Sequence, residues 1–366
     1  MKLKVLQEDF VKATSVVSRF VSNRATLPVL TYILFKAENQ KLFLQATNLE
    51  SSISYPVGAS VDEVGEIALP TRVIGDLLVN FPKGQIEIEG AREKLNLISS
   101  GFRGSISGMV ASDFPIIPSS IDEGGVEIET EKLIEILNTV LYAVSKDESR
   151  PILTGVFFNF QKEKLIIAGS DGFRISINSL QLNNSKFDDL KLVIPYQFMN
   201  ELIKILSISP TVKLYPKKEE NQVLFEIAGI TLLSRVIAGD FPDFSRIIPK
   251  TYNTTVSVDR NSLTQALKLS SVFARDSANI TSFEIKENEI VISSESATNG
   301  NQVTNIDAKV VGPALKVLFN YRFVEEFVHI CRSEDVVIEF NESTSAVLFK
   351  DQKNSELIHI IMPVKL

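Results

Sequence analysis

The chain has 366 residues, 38 Lys and Arg against 45 Asp and Glu for a formal net charge of −7, with 44% apolar and 23% charged residues, one Cys and two His. That composition describes an ordinary globular protein and argues against disorder; no apolar run approaches the ~20 residues that span a bilayer, and the acidic balance makes any basic surface a local one. One cysteine excludes an intrachain disulfide, and His329 and His359 lie far apart without ligand-like spacing, so neither a metal site nor any other cofactor is expected.

Taken in chain order, the N-terminus turns polar within Met1-Lys2-Leu3-Lys4, too early for a signal-peptide core. With the lone cysteine, this predicts a cytoplasmic protein. Alternation over residues 2–6 predicts a strand, and Phe10, Ala13, Val17, Phe20 and Val21 then mark one face of a helix. Strands follow at 32–37, 42–46 and 52–57, with Asn39-Gln40 as a turn. A second helix begins after Pro70, its stripe made by Val73, Ile74, Leu77, Leu78 and Phe81, before strands at 86–89, 94–99 and 102–107.

The same succession returns twice. The second opening helix carries Leu133, Ile136, Val140, Ala143 and Val144, with Thr130 as its N-cap, and strands follow at 155–160 and 165–168. Its second helix, after Pro195, has Phe198, Met199, Leu202, Ile203 and Leu206, and strands at 212–215, 223–227 and 231–236 close the copy. The third opens with Leu263, Ala266, Ser270, Phe273 and Ala274, then strands at 282–285 and 289–293. Its second helix carries Phe323, Val324, Phe327, Val328 and Cys331, and strands at 336–340, 346–350 and 357–361 complete it. A stripe at i, i+1, i+4, i+5, i+8 is the buried face of a helix. Cys331 therefore reads as core rather than as a reactive thiol.

Three copies imply three α+β domains, at 1–122, 126–249 and 254–366, each with two helices packed on antiparallel sheet. The copies end alike at Ile117-Pro118, Ile248-Pro249 and Met362-Pro363, and 123–125 and 250–253 read as linkers.

No phosphate-binding glycine loop or nucleophile elbow occurs. Asp171 and Asp240 are the sharpest acidic candidates, and a hydrolase would use them as an acid and base pair. Turn formation explains both more simply, because aspartate beside glycine bonds its own backbone. A near copy of the second motif at Asp113-Phe114-Pro115 also argues against catalysis. A repeated chain without chemistry suggests a scaffold, whether a monomeric peptide-binding protein or a ring. Domains of this length have diameters of about 35 Å, and six in a closed ring leave a hole of similar width. Two chains of three domains, joined head to tail, would suffice. Arg260 and Lys268 on the third opening helix, and Arg24, Arg72, Lys146, Arg150, Arg275 and Arg322 near helix ends, supply scattered cations for loose phosphate contacts.

Six segments in order carry a family resemblance: Asn23-Arg24-Ala25-Thr26-Leu27-Pro28-Val29-Leu30, Ala46-Thr47-Asn48-Leu49-Glu50, Ser112-Asp113-Phe114-Pro115, Ser170-Asp171-Gly172-Phe173-Arg174, Gly239-Asp240-Phe241-Pro242-Asp243-Phe244 and Met362-Pro363-Val364-Lys365-Leu366. From end to end the chain resembles the β subunit of bacterial DNA polymerase III, the sliding clamp family. The resemblance implies a non-enzymatic processivity factor: a head-to-tail homodimeric ring around double-stranded DNA, without sequence specificity. It implies as partners the polymerase III catalytic subunit, the clamp loader subunits, and other polymerases and repair proteins with clamp-binding motifs.

It further implies a partner-peptide pocket at Leu153, Ser170, Gly172, Phe173, Arg174, Ile175, Pro242, Arg246, Ile247, Ala346, Ile360 and Met362, with the tail Pro363, Val364, Lys365 and Leu366. Arg174 and Arg246 would rim an apolar groove for leucine and phenylalanine side chains. Phe173 stands where some members have histidine and makes the pocket edge more apolar. DNA contacts map to Arg24, Arg72, Arg150, Pro151 and Ile152, the last two replacing aromatic residues of some relatives. The ring interface maps to Ile106, Val272 and Phe273, while Gly108 stands where relatives can carry a larger apolar residue.

Overall fold

The computed structural model describes residues 1–22, 27–117, 124–182, 187 and 189–365. The residues Arg24, Pro118 and Leu366, to which the sequence assigns roles, therefore lie outside the described residues. Two compact units emerge: Met1–Glu131 with Gln197–Val236, and Lys132–Tyr196 with Ile237–Leu366. Each is organised on one twelve-stranded sheet whose strand pairings, among the described residues, are all antiparallel.

In the first unit the sheet runs from Phe102–Ser107 through Lys94–Ser99, Gln85–Ala91, Lys2–Leu6 and Ser51–Glu63, then to Ile230–Arg235, Gln222–Ile227, Thr211–Lys217 and Val126–Glu129. The long strand Ser51–Glu63 explains the continuity. Its start pairs with the middle repeat, Ser54 opposite Thr231 and Ser51 opposite Ser234, while Ala59 and Val61 pair with Val5 and Leu3. The second unit is joined the same way: Arg174–Gln181 pairs with Asn354–Ile361, Ile175 standing opposite Ile360. Backbone hydrogen bonds thus cross both repeat seams, and each unit holds one terminal repeat with part of the middle one.

Six α-helices appear among the described residues: α1 (Gln7–Val17), α2 (Thr71–Asn80), α3 (Thr130–Val140), α4 (Tyr196–Leu206), α5 (Arg260–Ala274) and α6 (Tyr321–Ile330). α5 starts where the Asp259 carboxylate accepts the Ser262 amide at 2.7 Å, and α6 where Asn320 Oδ1 accepts the Arg322 amide at 3.1 Å. Such caps occupy amide donors that a helix start leaves without partners. Thr130 differs from its expected role. It is the first residue of α3, and its hydroxyl donates to the Ser209 carbonyl at 2.6 Å.

The helical stripes hold with two adjustments. α1 and α3 each pass into a 3₁₀ turn, Ser18–Phe20 and Leu141–Ala143, which carries the buried members Phe20 and Ala143, and Val144 just beyond the second turn is buried as well. Phe81 and Cys331 lie one residue beyond α2 and α6 in extended backbone, yet both are buried. Burial pushes the Cys331 thiol up to about 11, so it stays protonated and acts as packing. Val73, on the predicted stripe, is exposed instead, whereas Phe198 at the same position of α4 is buried.

Strands with no range predicted from the sequence include Arg174–Gln181, Leu190–Pro195, Gly300–Val311 and Leu315–Asn320. The first half of Gly300–Val311 is almost wholly polar, so the alternation that marks a strand is confined to Ile306, Ala308 and Val310 in its second half. The Asn39-Gln40 turn has φ of 49° and 56°, the left-handed pair of a tight hairpin.

Candidate partner groove and DNA-facing residues

The seam between the second and third repeats gathers most of the expected groove. Ile175, Ala346 and Ile360 belong to one buried apolar cluster with Phe157, Ala168, Ile177, Val193 and Leu348. Strand alternation explains this, since Ile175 and Ile360 are opposite each other and project from one face of the shared sheet. The Ser145 amide is shared between the carbonyls of Leu153, at 3.0 Å, and Ser170, at 3.2 Å, tying the turn Pro151–Thr154 to the strand Lys164–Ser170.

The loop 171–173, between that strand and Arg174–Gln181, is built by local hydrogen bonds. Asp171 Oδ1 accepts from the amides of Phe173 and Arg174, at 2.9 and 3.0 Å, and the Ser170 hydroxyl accepts the Gly172 amide at 3.1 Å while donating to the Arg174 carbonyl. Gly172 has φ of +89°, which favours glycine. The loop leaves Phe173 61% exposed, and the Met362 amide donates to the Phe173 carbonyl at 2.8 Å, placing these two side chains' backbones together. Pro242, Arg246 and Ile247 arrive on the segment 239–248. Phe241 stacks on Phe157 with 4.8 Å between ring centroids, and Phe244 meets the same ring edge-on. The segment thus closes over the cluster, with Ile247 exposed. The tail is held where the Val364 amide donates to the Leu318 carbonyl at 2.8 Å, Pro363 being buried and Lys365 exposed.

The two arginines expected at the rim part company. Arg246 is exposed and pairs loosely with Asp243, 3.4 Å away. Ser245, through its hydroxyl and amide, holds the Asp243 carboxyl below its ordinary range. Arg174 is instead buried: Nε donates to Asp171 Oδ2 at 3.1 Å, Nη2 to the Tyr142 carbonyl at 2.8 Å and Nη1 to Glu326. Its guanidinium carbon also sits 4.5 Å from the centre of the Phe323 ring. Desolvation requires this many partners for a buried charge, so Arg174 organises the groove from beneath. Beside it His359 is fully buried, Nδ1 lying 2.9 Å from the Tyr142 hydroxyl and the ring stacked on Phe327. Burial pushes the His359 pKa well below 6.5 and that of Tyr142 up.

Sequence reasoning missed Phe157, Tyr142, Glu326 and His359 as parts of this site. The signal available was the Phe241/Phe244 pair, whose spacing within a repeat-end motif implies an aromatic anchor. Asp171 makes turn bonds with one oxygen and an ion pair with the other, while Asp240 is exposed; nothing in this geometry arranges them as an acid and base pair.

Among the DNA-facing candidates, Arg72 is 94% exposed at the start of α2 and lies 3.9 Å from Asp76. Arg150 and Pro151 are exposed, whereas Ile152 is half-buried against the apolar cluster of the seam. Arg260 donates to the Cys331 carbonyl at 2.7 Å, which turns one expected surface cation into a structural tie. Of the interface candidates, Ile106 is buried on Phe102–Ser107, Phe273 half-buried and Val272 59% exposed on α5. Gly108 is required where it stands: a Cβ there would lie 2.4 Å from the Ala68 carbonyl oxygen.

Comparison with known proteins covers the whole chain. Family models of the DNA polymerase III beta subunit match in order, the N-terminal domain over residues 1–118, the central domain over 127–243 and the C-terminal domain over 245–365. The beta sliding clamp of Staphylococcus aureus is 26% identical over 377 residues, with 100% of this chain and 99% of that protein covered. That of a Synechocystis species is 27% identical over 389 residues, with 100% of both covered. The crystal structure of the Bacillus subtilis DNA polymerase sliding clamp superposes with a TM-score of 0.94 at 25% identity, covering 100% of this chain and 99% of that one. With three clamp domains of mixed helix and antiparallel sheet in series, the chain belongs to the DNA polymerase III beta subunit family, the sliding clamps, which are non-catalytic processivity factors of DNA polymerase.

Proposed function

We propose that two copies of this chain close head to tail into a ring around duplex DNA, in the cytoplasm of a bacterium, with domain boundaries at 122/126 and 249/254. Of the several open sheet edges among the described residues, two carry the ring reading, one in the first repeat and one in the third. Phe102–Ser107, bearing Ile106, has a neighbour on one side only among the described residues. So does the 300–307 stretch of Gly300–Val311, which pairs with Glu289–Ser296 while residues 308–311 alone reach the next strand. An open edge is a template for another strand. Edges in the first and third repeats suit the heterologous contact that a two-chain ring needs. Exposed Val272 and Val303 in the third repeat supply apolar surface for it.

Arg24, Arg72 and Arg150 then serve as loose phosphate contacts, with Pro151 beside them, and the half-burial of Ile152 favours packing over wedging. The groove at the second seam takes the apolar side chains of clamp-binding peptides from the polymerase III catalytic subunit, the clamp loader and other polymerases or repair proteins. Phe173, Ile247 and Met362 form its exposed wall over the floor of Ile175, Ala346 and Ile360. Light scattering on the purified chain tests the assembly. The ring reading expects twice the 40.7 kDa chain mass at micromolar concentration, and a persistent single-chain mass would oppose it.

A further inference from the structure

The groove's backbone frame occurs twice. In the first seam the turn Pro28–Thr31 is closed by the Thr31 hydroxyl donating to the Pro28 carbonyl at 2.8 Å; in the second, Pro151–Thr154 is closed by Thr154 donating to Pro151 at 2.7 Å. The Thr47 hydroxyl accepts the Leu49 amide and donates to the Ser51 carbonyl, just as Ser170 serves Gly172 and Arg174. Asn48 Oδ1 accepts the amides of Glu50 and Ser51, as Asp171 does for Phe173 and Arg174. Leu49 even keeps the left-handed backbone of Gly172, with φ of +72° against +89°. The Arg235 amide donates to the Glu50 carbonyl at 2.8 Å, the counterpart of Met362 donating to Phe173 at the same distance. The floors agree too, Leu224 standing opposite Leu233 as Leu348 stands opposite Ile360.

What differs is the side chains on that frame. Facing the groove, Glu50 takes the place of Phe173, Ser52 that of Ile175 and Arg235 that of Met362, while beneath it Ser51 takes the place of Arg174. Glu50 and Arg235 are exposed, and Ser52 is buried opposite Leu233. We infer that the two seams are one backbone frame used twice, and that the three side-chain differences facing the groove restrict capture of apolar peptides to the second seam. The inference rests on the groove reading above. Its physical basis is desolvation: an apolar peptide side chain laid on the first seam would strip water from Glu50 and Arg235 without offering them a partner. On the second seam it would bury apolar surface instead.

The first seam shows that glutamate and arginine fit this frame, so F173E/M362R should fold. The probe is a fluorescein-labelled short synthetic peptide with adjacent leucine and phenylalanine, read by anisotropy against the full chain. F173E/M362R is expected to lose about 30-fold or more in affinity, the scale of a lost hot spot, with an unchanged melting temperature. Adding E50F/S52I/R235M to that chain is expected to restore binding, now at the first seam; should Ser52→Ile prove too large for its buried site, E50F/R235M is read instead. An unaltered chain that ignores the peptide overturns the groove and this inference with it. If the unaltered chain binds and F173E/M362R binds equally, the groove stands and the inference falls. A folded first-seam variant that captures no peptide likewise contradicts it.

Discussion

The Tyr142 hydroxyl lies 2.9 Å from Nδ1 of His359, so the turn after α3 is tied to the last strand of the chain through a fully buried imidazole. Desolvation, reinforced by nearby Arg174, depresses the folded-state pKa of His359 well below 6.5. Below about pH 6.5 the unfolded chain therefore binds a proton that the folded chain refuses. The resulting stability is whole above pH 6.5 and declines as the pH falls from there toward the folded-state pKa, by at most about 1.4 kcal/mol per unit. Melting temperatures measured from pH 7.5 to 5.5 should fall for the parent chain and fall less for His359→Phe, whose ring can keep the stack on Phe327. Parallel curves would show that His359 does not carry this dependence.

Arg174 and Arg246 should separate cleanly in stability. Removing Arg174 breaks its hydrogen bonds to the Tyr142 carbonyl and to Asp171 and Glu326, whose carboxylates keep some access to water, a loss of about 1.5–3 kcal/mol for Arg174→Ala. Arg246→Ala, at an exposed pair, should stay within about 0.5 kcal/mol. Urea denaturation checks both; equal values would contradict the buried hub.

Gly108 offers a test of packing against interface chemistry. A bulky residue there would collide with the Ala68 carbonyl before it could add apolar contact between chains. Gly108→Leu is expected to destabilise the chain by about 1–3 kcal/mol or more. A gain in dimer affinity without loss of thermal stability would refute that view.

Val272 is the cleaner handle on assembly, because it is exposed while Ile106 is buried. Val272→Glu should leave single-chain stability within about 0.5 kcal/mol and shift sedimentation from dimer toward monomer. An unmoved dimer would place the interface elsewhere.

Much of this architecture is legible in the sequence because it is periodic. The stripes of α2, α4 and α6 recur at fixed spacing, and Ile74, Met199 and Val324 at the same stripe position are all buried. Local turn chemistry is equally readable: Asp171 beside Gly172 forms the turn that its residue type favours. What escapes is whatever depends on distant partners. Arg174 looks like a surface charge until Tyr142 and Glu326, from separate segments, join its turn neighbour Asp171 in contact with it. The strand Gly300–Val311 is obscured by its first half, where Val303 is the one apolar residue among Gly300, Asn301, Gln302, Thr304 and Asn305, although Ile306, Ala308 and Val310 beyond it alternate with polar neighbours and pack on the core. The sharing of the middle repeat between two sheets escapes as well, since a repeat in sequence carries no mark of hydrogen bonds across its seam.

The most direct test of the clamp account is retention on DNA after loading by the cognate clamp loader and ATP, comparing a nicked circle with the same molecule linearised. A ring that encircles the duplex without gripping it is predicted to stay on the circle and to run off the free ends of the linear form. Equal retention on both would mean ordinary surface binding and would contradict encirclement.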